Sequence, residues 1–210
     1  MSGDPNGAPV VQPVSFVFTD ENLAKAQGYI AKYPAGRQAS AVLPLLDLAQ
    51  RQSGNWLPRA AMDTVADLLG MARMRVYEVA TFYSMFNLKP VGKHFFQICT
   101  TTPCWLRGSD EIVETCRNKL GIGIGETTAD GKFSLTEVEC LGACVNAPVI
   151  QVNDDFYEDL DGSSTEALID SLARGETPPR GSALKRQGSA PVTGPRTLHG
   201  VPSAGDPNAA

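Results

Sequence analysis

The sequence predicts an α+β protein in which a four-helix N-terminal domain precedes a smaller α/β domain. Apolar residues recur at helical spacing through the first part of the chain, and short strand-like runs alternate with helices after residue 90. The proline- and glycine-rich composition of residues 176–210 predicts an extended or disordered C-terminal tail. We therefore expect a flexible N-terminal tail at 1–15, the helical domain at 16–89, the α/β domain at 90–175 and the C-terminal tail at 176–210.

The helical domain is predicted from apolar stripes and from breaker residues. Its first helix begins at a cap, Thr19 or Asp20, and ends near Tyr33, because Pro34 and Gly36 follow. The later helices are predicted at about 37–52, 58–70 and 73–85. Pro44 lies early in the second of them, so it either starts the regular helix or kinks it. The aromatic residues of the fourth helix are expected in the core, with a partner surface as the alternative.

The α/β domain is predicted from elements in the order β, α, β, β, β, α. Their bounds are His94–Ile98, Gly108–Leu120, Phe133–Glu139, Val149–Val152, Phe156–Leu160 and Ser164–Arg174. Ser109 is the expected cap of the first helix, and Ser163 or Ser164 that of the second. Short strands with two helices predict an α/β sandwich of thioredoxin-like type.

Four cysteines lie in two close pairs, each after a predicted strand. Cys99 and Cys104 form a C-x4-C pair in C-T-T-T-P-C, and Cys140 and Cys144 form a C-x3-C pair in C-L-G-A-C. We expect the two loops to meet at one end of the sheet and to present four thiolates to one inorganic centre. A [2Fe–2S] cluster takes four protein ligands, so this cluster is the favoured interpretation.

Zinc, disulfides and a dithiol redox centre are the alternatives. Structural zinc sites accept spacings of up to four residues, although they favour closer pairs. An odd cysteine count and an N-terminus without signal-peptide features argue against a secreted, disulfide-bonded protein. Redox dithiols prefer C-x-x-C. His94 and His199 lie outside the pairs, which favours all-cysteine ligation, and Cys116 is expected to be a buried residue of a helix.

Composition excludes several classes of function. The net charge is −5 and the pI is about 5.0, so no basic surface for nucleic acid is indicated. No apolar run is long enough to span a membrane, and direct membrane insertion is not expected. The chain has no G-x-G-x-x-G motif after a strand and no flavin motif. We therefore expect an electron-carrying subunit with no hydride-transfer site and no catalytic residue of its own.

Four stretches carry a resemblance to a known family. They are residues 33–52, residues 76–93, C-T-T-T-P-C-W-L-R-G at 99–108 and E-C-L-G-A-C-V-N-A-P at 139–148. In them the chain resembles the E subunits of bacterial NADH–quinone oxidoreductase, the respiratory complex I, and the resemblance extends over about residues 16–175. Related subunits occur in NAD-reducing hydrogenases and in NAD-dependent formate dehydrogenases, which are the alternative parent assemblies.

The resemblance implies a thioredoxin-like [2Fe–2S] ferredoxin domain in which Cys99, Cys104, Cys140 and Cys144 ligate one cluster. It implies a larger flavin subunit that binds FMN and NADH as the partner, among other peripheral-arm subunits of complex I. The implied location is peripheral, on the cytoplasmic side of the bacterial inner membrane, or on the matrix side in mitochondria. The cluster would exchange single electrons with the flavin, as an electron store or mainly as a structural element. A zinc-stabilised interaction module without enzymatic role is the competing class.

Overall fold

A computed structural model describes residues 10–191 and residue 193 of the chain. The chain divides into two compact units between Lys93 and His94, a few residues after the boundary expected from the sequence. Most of the predicted N-terminal tail and the end of the predicted C-terminal tail lie outside the described residues. Among the helices that are described, none combines the length and the apolarity that crossing a bilayer requires.

The first unit is helical. Its helices are α1 (Asp20–Ile30), α2 (Val42–Gln52), α3 (Arg59–Leu69) and α4 (Arg73–Phe82). Thr19 caps α1 as expected, since its hydroxyl accepts the backbone N–H of Asn22 at 3.3 Å. The segment before α2 is a 3-10 turn, Gln38–Ala41, and the α-helix begins at Val42. Pro44 thus lies in the first turn of α2, where its missing N–H costs no hydrogen bond.

Apolar stripes on α2, α3 and α4 form the core of the first unit. Leu45, Leu46, Val65 and Val76 are fully buried there. Helix α4 ends at Phe82, three residues before the predicted end. The expectation that its aromatic residues are buried is right for Phe86 but wrong for others. Tyr83 is exposed, and Phe82 is 80 % exposed.

The second unit contains a five-stranded mixed sheet. Its elements are β1 (His94–Cys99), α5 (Thr102–Leu106), α6 (Ser109–Leu120), β2 (Phe133–Val138), β3 (Val149–Val152), β4 (Asp155–Glu158), α7 (Gly162–Ala173) and β5 (Gly181–Ser182). The strand order is β2-β1-β3-β4-β5. Strand β1 is parallel to β2 and β4 is parallel to β5, whereas the other two pairs are antiparallel. Ile112 and Cys116 of α6 and Leu168 of α7 share one core with Phe96 and Ile150 of the strands, so Cys116 is buried as predicted.

Both predicted caps in the second unit are wrong by a few residues. Gly108, with φ +96°, occupies the N-cap position of α6, and Ser109 is the buried first residue of that helix. Asp161 caps α7: its carboxylate accepts the N–H of Ser164 at 2.7 Å, and the Ser164 hydroxyl accepts the N–H of Asp161 at 2.8 Å. The Asp161 carboxylate, two residues before Ser163, satisfies the free N–H of Ser164, so Ser163 and Ser164 lie inside the helix.

The predicted C-terminal tail is ordered over part of its length. Gly181–Ser182 forms β5 beside β4, and Arg186 makes an ion pair with Asp159 at 2.8 Å in which both side chains are buried. The prediction of disorder was therefore wrong for this stretch. A high proline and glycine content predicts a lack of local secondary structure, but it does not predict whether the segment pairs with a strand elsewhere in the chain. Residues 194–210 lie outside the described residues.

Candidate metal centre

The parallel pairing of β1 and β2 brings the two cysteine loops to the same edge of the sheet. Cys99, the last residue of β1, pairs with Val138, the last residue of β2, and Cys140 follows two residues later. Cys104 lies in α5, and Cys144 begins a 3-10 turn that ends at Asn146. Parallel neighbours finish at one edge, so the convergence expected from the sequence is what the topology produces.

The four sulfurs approach one another as two pairs. Cys140 Sγ lies 3.3 Å from Cys144 Sγ, and the thiol of Cys104 interacts with the sulfur of Cys99. The hydroxyl of Thr101 lies 3.3 Å from Cys99 Sγ and also interacts with Cys140, so it lies between the pairs. All four cysteines are free thiols. The arrangement places two pairs of sulfurs near each other at the same edge of the sheet.

One pair is buried and the other is open. Cys99 and Cys104 are 2 % and 1 % exposed and share a small apolar cluster with Ala147 and Val149. Leu141, Ala143 and Phe156 pack against this cluster. Cys140 and Cys144 are exposed. A group bound by all four sulfurs would therefore have a dry side towards the sheet and an accessible side at the Cys140–Cys144 loop.

Backbone N–H groups point at the sulfurs. The N–H of Gly142 donates to Cys140 Sγ at 3.4 Å, and the N–H groups of Thr101 and Leu141 donate to Cys99. Gly142 has φ +82°, a conformation that glycine adopts without strain. The bridging Thr101 hydroxyl was not anticipated, and the only signal for it is the Thr-rich run between Cys99 and Cys104.

Trp105, the residue after Cys104, does not belong to the apolar cluster around the buried sulfurs. It is 55 % exposed, and its Nε1 donates to Asp110 Oδ2 at 3.1 Å. The apolar cover on the sheet side comes instead from Ala147 and Val149.

Hydrogen bonds set the proton affinities of the cysteines in opposite directions within each pair. Burial raises the pKa of Cys99, but hydrogen bonds from Thr101, Leu141 and Cys104 outweigh it and hold that pKa below its usual value. Burial, together with the hydrogen bond to Cys99, raises the pKa of Cys104 to about 12. The N–H of Gly142 and the thiol of Cys144 lower the pKa of Cys140. The bond that Cys144 makes to Cys140 raises the pKa of Cys144. In each pair one sulfur is therefore prepared to be a thiolate.

Comparison with known proteins identifies the family. The family model described as thioredoxin-like [2Fe–2S] ferredoxin matches residues 26–173. The chain belongs to this family. The match includes all four cysteines of the site and most of the helices and strands of both units. The thioredoxin-like ferredoxin fold that the sequence predicts is thereby confirmed.

Within the ferredoxin family, the similar curated proteins are respiratory subunits. The chain is 63 % identical over 158 residues to the E subunit of the NADH-quinone oxidoreductase of Rickettsia bellii, covering 75 % of this chain and 95 % of that one. It is 54 % identical over 183 residues to the mitochondrial NADH dehydrogenase [ubiquinone] flavoprotein 2 of Dictyostelium discoideum, covering 87 % of this chain and 74 % of that one. The resemblance found in the sequence is confirmed.

A solved structure supports the fold alone. An NAD+-reducing [NiFe]-hydrogenase in its air-oxidized state aligns with a TM-score of 0.55 at 20 % identity, covering 62 % of this chain and 23 % of that chain. At this identity the alignment shows a shared fold.

The residues present fit the cofactor named by the ferredoxin family. In the part of the chain that the structure describes, no three His, Cys, Asp or Glu side chains are placed to hold a metal ion. The four cysteines instead approach in two pairs with backbone N–H donors beside them. A [2Fe–2S] cluster takes four thiolates, two for each iron, and hydrogen bonds to sulfur tune it. The donor set therefore matches one [2Fe–2S] cluster.

Proposed function

We propose that this chain is the electron-carrying E subunit of an NADH–quinone oxidoreductase, and that Cys99, Cys104, Cys140 and Cys144 ligate its single [2Fe–2S] cluster. The observation that carries the proposal is the pairing of four thiols at one sheet edge. It occurs in a chain that covers 95 % of a curated E subunit at 63 % identity. A bound [2Fe–2S] cluster supplies the exchange of one electron at a time.

The residues around the sulfurs hold charge and exclude water. The N–H groups of Thr101, Leu141 and Gly142 donate to sulfur and so stabilise negative charge there. The apolar side chains packed on Cys99 and Cys104 keep water from the inner pair. The exposed Cys140–Cys144 loop is the side from which an electron-transfer partner can approach.

The proposed partner is a larger flavin subunit that binds FMN and NADH. The names of the relatives support this, because they refer to NADH and to a flavoprotein. The chain itself carries no nucleotide-binding glycine motif. We place it with other peripheral-arm subunits on the cytoplasmic side of the bacterial inner membrane, or on the matrix side if the source is mitochondrial.

The first experiment is iron and sulfide analysis of anaerobically purified protein, with visible absorption and with EPR after dithionite reduction. We expect two irons and two sulfides per chain and an EPR signal that appears on reduction. A colourless protein with one zinc would refute the ferredoxin function. It would favour the zinc-stabilised interaction module instead.

Replacing one ligand tests the assignment of the cysteines. The Cys144→Ala variant should lose the EPR signal and most of its iron, because three thiols cannot complete the four-cysteine ligand set. Cys116→Ala is the matched control, since Cys116 is buried in the core of α6 and away from the cysteine pairs. Both variants are assayed for iron, sulfide and EPR. Retention of a wild-type cluster by Cys144→Ala would contradict the assignment.

Two further questions need separate measurements: which complex contains the chain, and whether its cluster stores an electron. Affinity capture of the tagged chain from its own organism should retrieve quinone-reductase subunits. Hydrogenase or formate dehydrogenase subunits would instead support the alternative parents. If the assembled complex carrying Cys144→Ala shows unchanged turnover and unchanged peroxide release, an electron store is not supported.

A further inference from the structure

Arg186 connects the C-terminal segment to the turn that follows Cys144. Its Nη2 donates to the carbonyl oxygen of Val145 at 2.9 Å and to the side-chain oxygen of Asn146. The same guanidinium pairs with Asp159, through Nε to Oδ2 at 2.9 Å and Nη2 to Oδ1 at 2.8 Å. The side chain of Arg186 is 8 % exposed and that of Asp159 is 5 % exposed. One buried guanidinium thus serves acceptors of the turn at Cys144 and of the residue that follows β4.

Asn146 is the shared contact point. It is 4 % exposed, its carbonyl accepts the N–H of Asp159 at 2.7 Å, and its side-chain nitrogen donates to Glu158 and to the carbonyl oxygen of Gly188 at 3.0 Å. Cys144, Val145 and Asn146 make up a single 3-10 turn. A displacement of Asn146 therefore moves the backbone that carries the sulfur of Cys144.

Several contacts order the segment around Arg186, among them the pairing of β5 with β4 and the hydrogen bond from Asn146 to the carbonyl oxygen of Gly188. Strand β5 is two residues long, and Arg186 also holds its own segment by donating from Nη1 to the carbonyl oxygen of Ala190 at 3.0 Å. The segment lies beyond residues 26–173, which the family model matches.

We propose that Arg186 is a positioning residue for the [2Fe–2S] site: by fixing Val145 and Asn146 it holds the Cys144 turn in its ligating geometry and slows loss of the cluster. The proposal rests on the proposed ligation by Cys144. Groups that orient metal ligands commonly change metal affinity by about 10- to 100-fold when they are removed. Arginine suits this position, because its planar fork serves several acceptors that one ammonium group cannot.

The test is the rate at which anaerobically purified full-length protein loses its cluster to an iron chelator, followed by visible absorption. Arg186→Lys keeps a charge for Asp159, but its single nitrogen cannot take the place of the three nitrogens from which Arg186 reaches Asp159, the site turn and Ala190. The double variant Arg186→Ala with Asp159→Ala removes the buried charge together with its partner. Both should lose the cluster roughly 10-fold faster than wild type. Arg180→Ala is the matched control, because Arg180 belongs to the same segment but pairs with Asp155 at the surface.

A second readout does not depend on the cluster. In cluster-free protein, hydrogen–deuterium exchange of the peptide that contains residues 144–147 should be faster in Arg186→Lys and in the double variant than in wild type. Wild-type cluster lifetime in both variants would overturn the positioning role. The positioning role would also be overturned if the single variant Arg186→Ala lost the cluster faster while Arg186→Lys and the double variant lost it at the wild-type rate. In that case Arg186 would only neutralise Asp159. If wild-type protein contained no iron and sulfide, the proposed function itself would be refuted. This outcome is therefore distinct from failure of the positioning role of Arg186.

Discussion

Cys104 and Cys140 illustrate how local surroundings differentiate identical side chains. Cys104 is 1 % exposed, and burial with the hydrogen bond to Cys99 raises its pKa to about 12. Cys140 is exposed, and the N–H of Gly142 lowers its pKa. The thiolate is the reactive form of cysteine. Exposure and a lowered pKa therefore both increase the reactivity of Cys140, whereas burial and a raised pKa both decrease that of Cys104.

We expect iodoacetamide to modify Cys140 at least about tenfold faster than Cys104 in cluster-free protein, because only the exposed, lower-pKa thiol supplies thiolate near neutral pH. Peptide mass spectrometry over a time course measures the two rates. Cys116, buried with a pKa raised to about 12, serves as the slow internal reference. Equal rates at Cys104 and Cys140 in folded protein would contradict the prediction.

Helix α7 shows how one capping residue fixes the start of an element. Asp161 and Ser164 each accept the other's backbone N–H, which forms a capping box. The sequence contains Asp161, Ser163 and Ser164 within four positions, and both aspartate and serine are good caps. The extended backbone of Asp161 at φ −130° and ψ 179° decided among them, because a cap residue must lie outside the helical region.

Asp161→Ala should lower the free energy of unfolding by about 1 kcal/mol at neutral pH, whereas Ser163→Ala should change it by less than about 0.5 kcal/mol. The N–H and hydroxyl of Ser164 lower the pKa of Asp161. The contribution of this carboxylate is therefore complete above its ordinary pKa and is lost as the pH falls through the lowered, folded-state pKa. Urea denaturation of cluster-free wild type and variants along a pH series measures this. A difference that grows towards acid pH would contradict it.

At the scale of the whole molecule, the two units differ in what stabilises them. The buried residues of the first unit form one apolar core that contains no cysteine. The second unit has a main core and a separate small cluster built around Cys99 and Cys104. A ligand that binds only the folded state stabilises that state. The stability of the second unit is therefore expected to depend on the bound [2Fe–2S] cluster.

Removal of the cluster should lower the thermal midpoint by about 4 °C or more, which corresponds to roughly 1 kcal/mol for a domain of this size. Calorimetry before and after anaerobic chelation measures the shift. The Cys144→Ala variant is the control, because chelator should not change its midpoint further. An unchanged midpoint in wild type would show that the cluster contributes nothing to the stability of the fold.

Local patterns in the sequence determined most of the elements and pointed to the site. Helical stripes, the Thr19 cap and the two cysteine spacings each depend on residues close in the chain, and all are visible before folding. Family membership also followed from these motifs. The short helix α5 and the 3-10 turn at Cys144 were missed, because elements of a few residues carry no periodic signal.

Only the tertiary structure decided what distant residues do to one another. The parallel register of Cys99 with Val138 brings the loops together, and burial separates Cys99 and Cys104 from Cys140 and Cys144. The ion pair of Arg186 with Asp159 orders a segment whose composition predicts disorder. Local propensity depends on neighbours in the chain, so it is visible in the sequence directly. Contacts between distant residues depend on the packing of the whole chain, so they could be read only from the folded molecule.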